Sequence, residues 1–115
     1  MTTFLGRHDE VDDHIITLVA QGADVRVVRA GTDKRTVLSG FAEALDLPGW
    51  FGHNWDALVD ALRELSNDDA RRIELVWDHA HELRETAPEI FALAVDILEQ
   101  VADERDDLGV TIIDR

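Results

Sequence analysis

The sequence contains no cysteine, no tyrosine and only two prolines. Without cysteine there is no disulfide, no thiolate metal site and no redox thiol. No run of 18 apolar residues occurs, so no segment reads as a membrane-spanning helix. The first ten residues, Met1 to Glu10, lack a basic region followed by an apolar one. No secretory signal is therefore expected, and the expected location is cytoplasmic. Basic residues are scarce as well: 11 Lys and Arg stand against 25 Asp and Glu, a net charge of −14. That balance argues against nucleic acid and anionic membrane as partners and favours a cationic partner. It also disfavours self-association, so a monomer is expected when free. Plain solubility would explain the same charge. There is no Ser or Cys nucleophile arrangement, no phosphate-cradling glycine loop and no dinucleotide fingerprint.

The chain has 115 residues, one domain's worth, and at 45% hydrophobic it can bury a core. Residues 9–21 read as a short helix with Val11, Ile15, Ile16, Leu18 and Val19 as its apolar members, ended by Gly22. Val25-Arg26-Val27-Val28 is β-branched and flanked by turn residues, so it reads as a first core strand. A helix near 33–45 follows, with Val37, Leu38, Phe41 and Leu45 inward and Ser39-Gly40 as a point of close packing. Arg26, Arg29, Lys34 and Arg35 gather here against Asp33, a basic patch expected to pair with neighbouring carboxylates. Ile73-Glu74-Leu75-Val76-Trp77 is a second strand, and Asp78 to Glu85 a short helix or loop. Thr86-Ala87-Pro88-Glu89 reads as a capping box with Pro in the first turn. Ile90, Leu93, Ala94, Ile97, Leu98 and Val101 then make a broad apolar stripe. Val110-Thr111-Ile112-Ile113 is a terminal strand. Apolar strands separated by helices imply parallel crossovers. The expected fold is α/β: a two-layer, three-stranded parallel sheet packed with helices, in a single domain over 1–115. Residues 1–24 are expected as an N-terminal extension with a short helix, and 25–115 as the core.

The densest signal lies at Leu47-Pro48-Gly49-Trp50-Phe51-Gly52-His53-Asn54-Trp55-Asp56-Ala57-Leu58-Val59-Asp60. Pro48 and Gly49 break the preceding helix, Gly52 permits a tight turn, and Asn54 is a good N-cap for a helix near 54–66. Trp55, Leu58, Leu62 and Leu65 form one apolar stripe, while Asp56, Asp60 and Glu64 recur every fourth residue on another face. Asp56 in the first turn is favoured by the helix dipole. Asp60 gains little there, and Asp is a poor helix former, which tilts it toward recognition rather than solvation.

The same residues resemble the core motif of the barstar family of ribonuclease inhibitors. That motif shows Leu-Pro, two aromatics, Gly, any residue, Asn, a large apolar residue, Asp-Ala-Leu, one residue and Asp. Here these read Leu47-Pro48, Trp50-Phe51, Gly52, Asn54, Trp55, Asp56-Ala57-Leu58 and Asp60. The resemblance runs over about 25–115, and it implies a barstar-like fold and a partner that is a cationic bacterial ribonuclease. By it, Asp60 enters the nuclease's active site in place of the substrate phosphate, and Asp56 meets a second enzyme cation. Trp50, Phe51, Gly52, Asn54 and Trp55 shape the contact surface, although aromatics beside Pro and Gly also lock loops to a core. No turnover and no cofactor is needed. The chain departs from the prototype of the family in Trp50 and Phe51, which replace two Tyr, and in Val59, which replaces Trp. Arg63-Glu64-Leu65 stands in place of Thr-Gly-Trp, with Arg63 expected to pair with Asp60 or Asn67. Within the C-terminal acidic cluster, Asp103 and Asp106 are the candidate rim contacts. These departures leave open a barstar-like fold acting on a cationic partner other than a ribonuclease. A third reading is a small metal-dependent enzyme using His53, Asp56 and Asp60. Asp78, His79 and His81 form another set, but neither spacing matches an established metal site.

Overall fold

The computed structural model describes residues 1–48 and 54–115. The elements run β1 (Thr2–Gly6), α1 (Val11–Ala20), β2 (Asp24–Arg29), α2 (Lys34–Ala44), α3 (Trp55–Glu64), β3 (Ile73–Asp78), α4 (His81–Thr86), α5 (Pro88–Glu104) and β4 (Leu108–Asp114). The four strands form one parallel sheet in the order β1-β4-β3-β2. The expected three strands are present, and a fourth is added. Residues 1–24 contribute β1 itself, which pairs along β4 from Thr2 opposite Val110 to Gly6 opposite Asp114. The N-terminal segment is therefore part of the sheet as well as a helix.

The topology also corrects the expectation of two layers. Parallel crossovers keep one hand. The connection from β1 outward to β2 and those returning from β2 toward β4 must then lie on opposite faces. Period-two alternation fills both faces. Val28, Ile73, Leu75, Trp77, Leu108, Val110 and Ile112 join the main core beneath α2, α3, α4 and α5. On the other face, Val76 and Ile113 pack with Val11, Ile15 and Leu18 of α1. Every residue of β3 is buried, as expected of a strand covered on both sides. Ile16 and Val19, taken with the apolar members of α1, instead face solvent.

α1 closes in a Schellman motif: Ala23 N–H donates to Leu18 O at 3.2 Å and Gly22 N–H to Val19 O at 3.0 Å, with Gly22 left-handed at φ 85°. α2 closes the same way, with Leu47 N–H to Ala42 O at 2.9 Å and Asp46 N–H to Glu43 O at 3.3 Å. The left-handed position there is Asp46, at φ 51°. At its start, α2 has a capping box between Asp33 and Thr36. Gly40 lets α2 lie directly on β2, since a Cβ there would sit 2.6 Å from the Arg29 carbonyl oxygen. The expected box at Thr86-Ala87-Pro88-Glu89 does not form. Thr86 is the last residue of α4, its hydroxyl donates to Glu82 O at 2.8 Å, and Pro88 opens α5 without a side-chain cap. Trp77 is fully buried between Phe41 and Phe91, with ring centroids 6.2 and 5.8 Å away. Among the described residues, its indole N–H finds no hydrogen-bond partner.

Candidate functional site

α3 begins where the sequence predicts. Asn54 Oδ1 accepts the Ala57 N–H at 2.8 Å, which satisfies one of the orphan donors of the first turn. Leu58 and Leu62 are fully buried and Leu65 nearly so, so one side of α3 is anchored in the main core. Trp55 is half-buried against that core, and Lys34 Nζ lies 6.0 Å from the centroid of its ring. That cation–π contact brings the start of α2 to the start of α3. Asp56 and Asp60 are exposed, one turn apart. Trp50, Phe51, Gly52 and His53 lie outside the described residues.

Val59 is half-buried and packs on the core, which limits how much of it a partner could reach. Arg63 pairs neither with Asp60 nor with Asn67. It forms a bidentate bond to Glu104 of α5, at 2.8 Å for both Nε–Oε2 and Nη2–Oε1. The planar guanidinium matches the carboxylate fork. Asn67 instead donates to Asp24 Oδ2 at 3.2 Å and to Arg71 O at 3.0 Å. The Arg63 guanidinium, helped by Gln100, holds the Glu104 carboxyl down at about 2, and Glu104 in turn raises Arg63. A second α5–α3 link comes from Arg105, whose Nη1 donates to Leu62 O at 2.8 Å. It places a cation at the negative end of the α3 dipole. Arg105 also holds Asp107, so its carboxyl too lies below the usual range. Asp103 and Asp106 remain exposed, and the Asp106 carbonyl accepts from Arg72 Nη1 at 2.8 Å.

The two ends of α3 are thus fixed differently: Asn54 and Trp55 at one, Arg63 and Arg105 at the other. Sequence reading missed Glu104 and Arg105 as the supports of the acidic helix. Their partners lie about 40 residues away, beyond any helical spacing. Of the basic patch, only Arg26 forms an ion pair among the described residues, with Asp24 at 2.8 Å. Among the described residues, no cluster of three His, Cys, Asp or Glu is placed to hold a metal. His79 approaches Asp78, whose main partner is Arg115, and His81 bonds Asp114.

The arrangement is a helix anchored in the core on one side and presenting carboxylates to solvent on another. A search of curated proteins finds no match to the chain. The family model described as Barstar (barnase inhibitor) matches residues 25–113, which take in α2, α3, β3 and most of β2 and β4. The chain belongs to the barstar (barnase inhibitor) family.

Proposed function

We propose that this protein is a ribonuclease inhibitor that blocks the active site of a cationic bacterial ribonuclease. Asp60 is the anchor that takes the place of substrate phosphate, and Asp56 is a second cation contact. Trp50, Phe51, Gly52, Asn54 and Trp55 shape the surrounding surface, with Val59, Asp103 and Asp106 at its margin. The observation that carries the reading is the pair of exposed carboxylates one turn apart on a helix whose other side is fully buried. A surface already ordered before binding loses little entropy on association. The net charge of −14 draws a cationic partner from a distance. The inhibitor acts without turnover, as a cytoplasmic antitoxin of the cell that makes the nuclease. Arg63 is neutralised by Glu104, so it does not repel the partner.

The test is inhibition of a panel of secreted bacterial ribonucleases by wild type, Asp60→Ala and Asp60→Asn. Asp60 is exposed, so both variants should fold. Binding should weaken more than about tenfold, roughly 1.4 kcal/mol, because truncation strands the enzyme's desolvated cation. Association should slow as salt rises, since screening shortens from about 10 Å at 0.1 M to about 3 Å at 1 M. A chelator should change nothing. If a folded protein inhibits none of the ribonucleases, the second reading takes over: a barstar fold that regulates a different cationic partner. The replacements at Val59, Arg63 and Leu65 favour it, because all three are turned to packing or pairing within the chain.

A further inference from the structure

Far from the carboxylates of α3 in chemical character, a crevice of about 320 Å³ opens at the carboxyl ends of β2 and β3. Its walls include Arg29, His79, His81, Glu82 and Arg115. Most of the 11 basic residues in this acidic chain are ion-paired, yet Arg29 has no ion-pair or side-chain hydrogen-bond partner among the described residues. Two acids beside the crevice, Asp78 and Asp114, are engaged within the fold, and a third, Asp12, acts on Arg115 through space. Asp78 accepts from Arg115 Nε at 3.0 Å, from Arg115 Nη2 at 2.8 Å and from the His79 amide at 2.7 Å. Asp114 is held by Arg84 and His81, both at 2.9 Å. Glu82 makes no ion pair with Arg29 or Arg115. His79 projects from a left-handed backbone at φ 63°, a conformation that costs energy for any residue but glycine.

We propose that this crevice binds a phosphomonoester dianion, read by the free guanidinium of Arg29 and the remaining Nη1 of Arg115, with His79 and His81 alongside. Guanidinium forks match tetrahedral phosphate oxygens. The volume of the crevice falls at the lower end of small-molecule sites and exceeds what inorganic phosphate fills. The inference is independent of the ribonuclease reading, since it uses none of the residues of α3.

The experiment is thermal melting and backbone amide NMR of the full chain, titrated with inorganic phosphate and separately with a nucleoside 5′-monophosphate, against chloride at equal ionic strength. A net charge of −14 repels phosphate in general, so saturable stabilisation requires a local site. We expect the melting temperature to rise with phosphate and amide shifts to centre on Gly31, Thr32 and His79. Arg29→Gln, at an exposed position, and His79→Gly, which suits the left-handed backbone, should each weaken apparent affinity about tenfold without lowering the melting temperature in chloride. Glu82→Gln should strengthen binding. A monophosphate that binds more tightly than phosphate means the site reads the organic moiety as well; equal binding means that it reads the phosphate alone. No saturable response, or one unchanged in Arg29→Gln and His79→Gly, overturns the proposal.

Discussion

Gly40→Ala sets helix propensity against packing. Gly40 lies inside α2, where glycine costs about 1 kcal/mol relative to alanine. On propensity alone the variant gains that much. The neighbour across the interface decides otherwise. A Cβ at this position lies 2.6 Å from Arg29 O, and ordinary contact begins at 3.4 Å, so α2 and β2 must part by the difference of 0.8 Å. The obstacle is backbone and cannot swing aside, because the next amide, Ala30 N–H, is tied to Asp78 O at 2.9 Å. A gap of roughly 0.5–1 Å forfeits a quarter to a half of each dispersion well. The contacts that pay are those of Val37, Leu38 and Phe41, all buried, against Val28. Overpacking of this kind costs about 1–3 kcal/mol. After the propensity gain, the net loss is up to about 2 kcal/mol. Urea denaturation followed by circular dichroism should show a lower midpoint with an unchanged slope. A variant more stable than wild type by about 1 kcal/mol, as for an exposed helical glycine, would refute the close approach of α2 to β2.

Two further outcomes follow from the helix ends and the ion pairs. Asp46→Gly should raise stability by about 0.5–1 kcal/mol in the same urea assay, because the Schellman turn after α2 puts a left-handed φ of 51° on a residue with a Cβ. Glu104 should titrate at about 2 by carboxyl NMR, below its ordinary 4.5, and Arg63→Ala should return it toward the ordinary value. A carboxyl lowered in the native state stabilises above its unfolded value and loses that contribution as pH falls through the native one. The Glu104 contribution is therefore complete above about pH 4.5 and gone near pH 2. Asp78 works in the same direction: burial raises its carboxyl, but Arg115 and the His79 amide more than offset this and hold it below its usual value.

Where local pattern decides structure, the sequence was readable. The stripe of Leu58, Leu62 and Leu65, the Asn54 cap, the close approach at Gly40 and the strands β2, β3 and β4 all follow from period, propensity or turn chemistry. β1 carries no such mark. Thr2-Thr3-Phe4-Leu5-Gly6 has two apolar residues, its Phe4 is 57% exposed, and its pairing with β4 spans the whole chain. α1 showed its helical period but not which face of the sheet it would cover; strand order settles that, and strand order was hidden with β1. Arg63 illustrates the same limit for the site. Sequence proximity points to Asp60 or Asn67, whereas the geometry of α3 against α5 supplies Glu104.

The position of β4 has a consequence for how the molecule comes into being. It is the last element in the chain yet lies inside the sheet, between β1 and β3. During synthesis β1 has no neighbour to join until residues 108–114 have left the ribosome. At about 5–20 residues per second, the emerging chain therefore waits some seconds with that strand unzipped. Closure then depends on contacts between opposite ends of the polypeptide, the kind that form slowly. The acidic helix is translated before Glu104 and Arg105, the residues that brace it. A truncated nascent chain would thus display those carboxylates without the frame that makes them rigid.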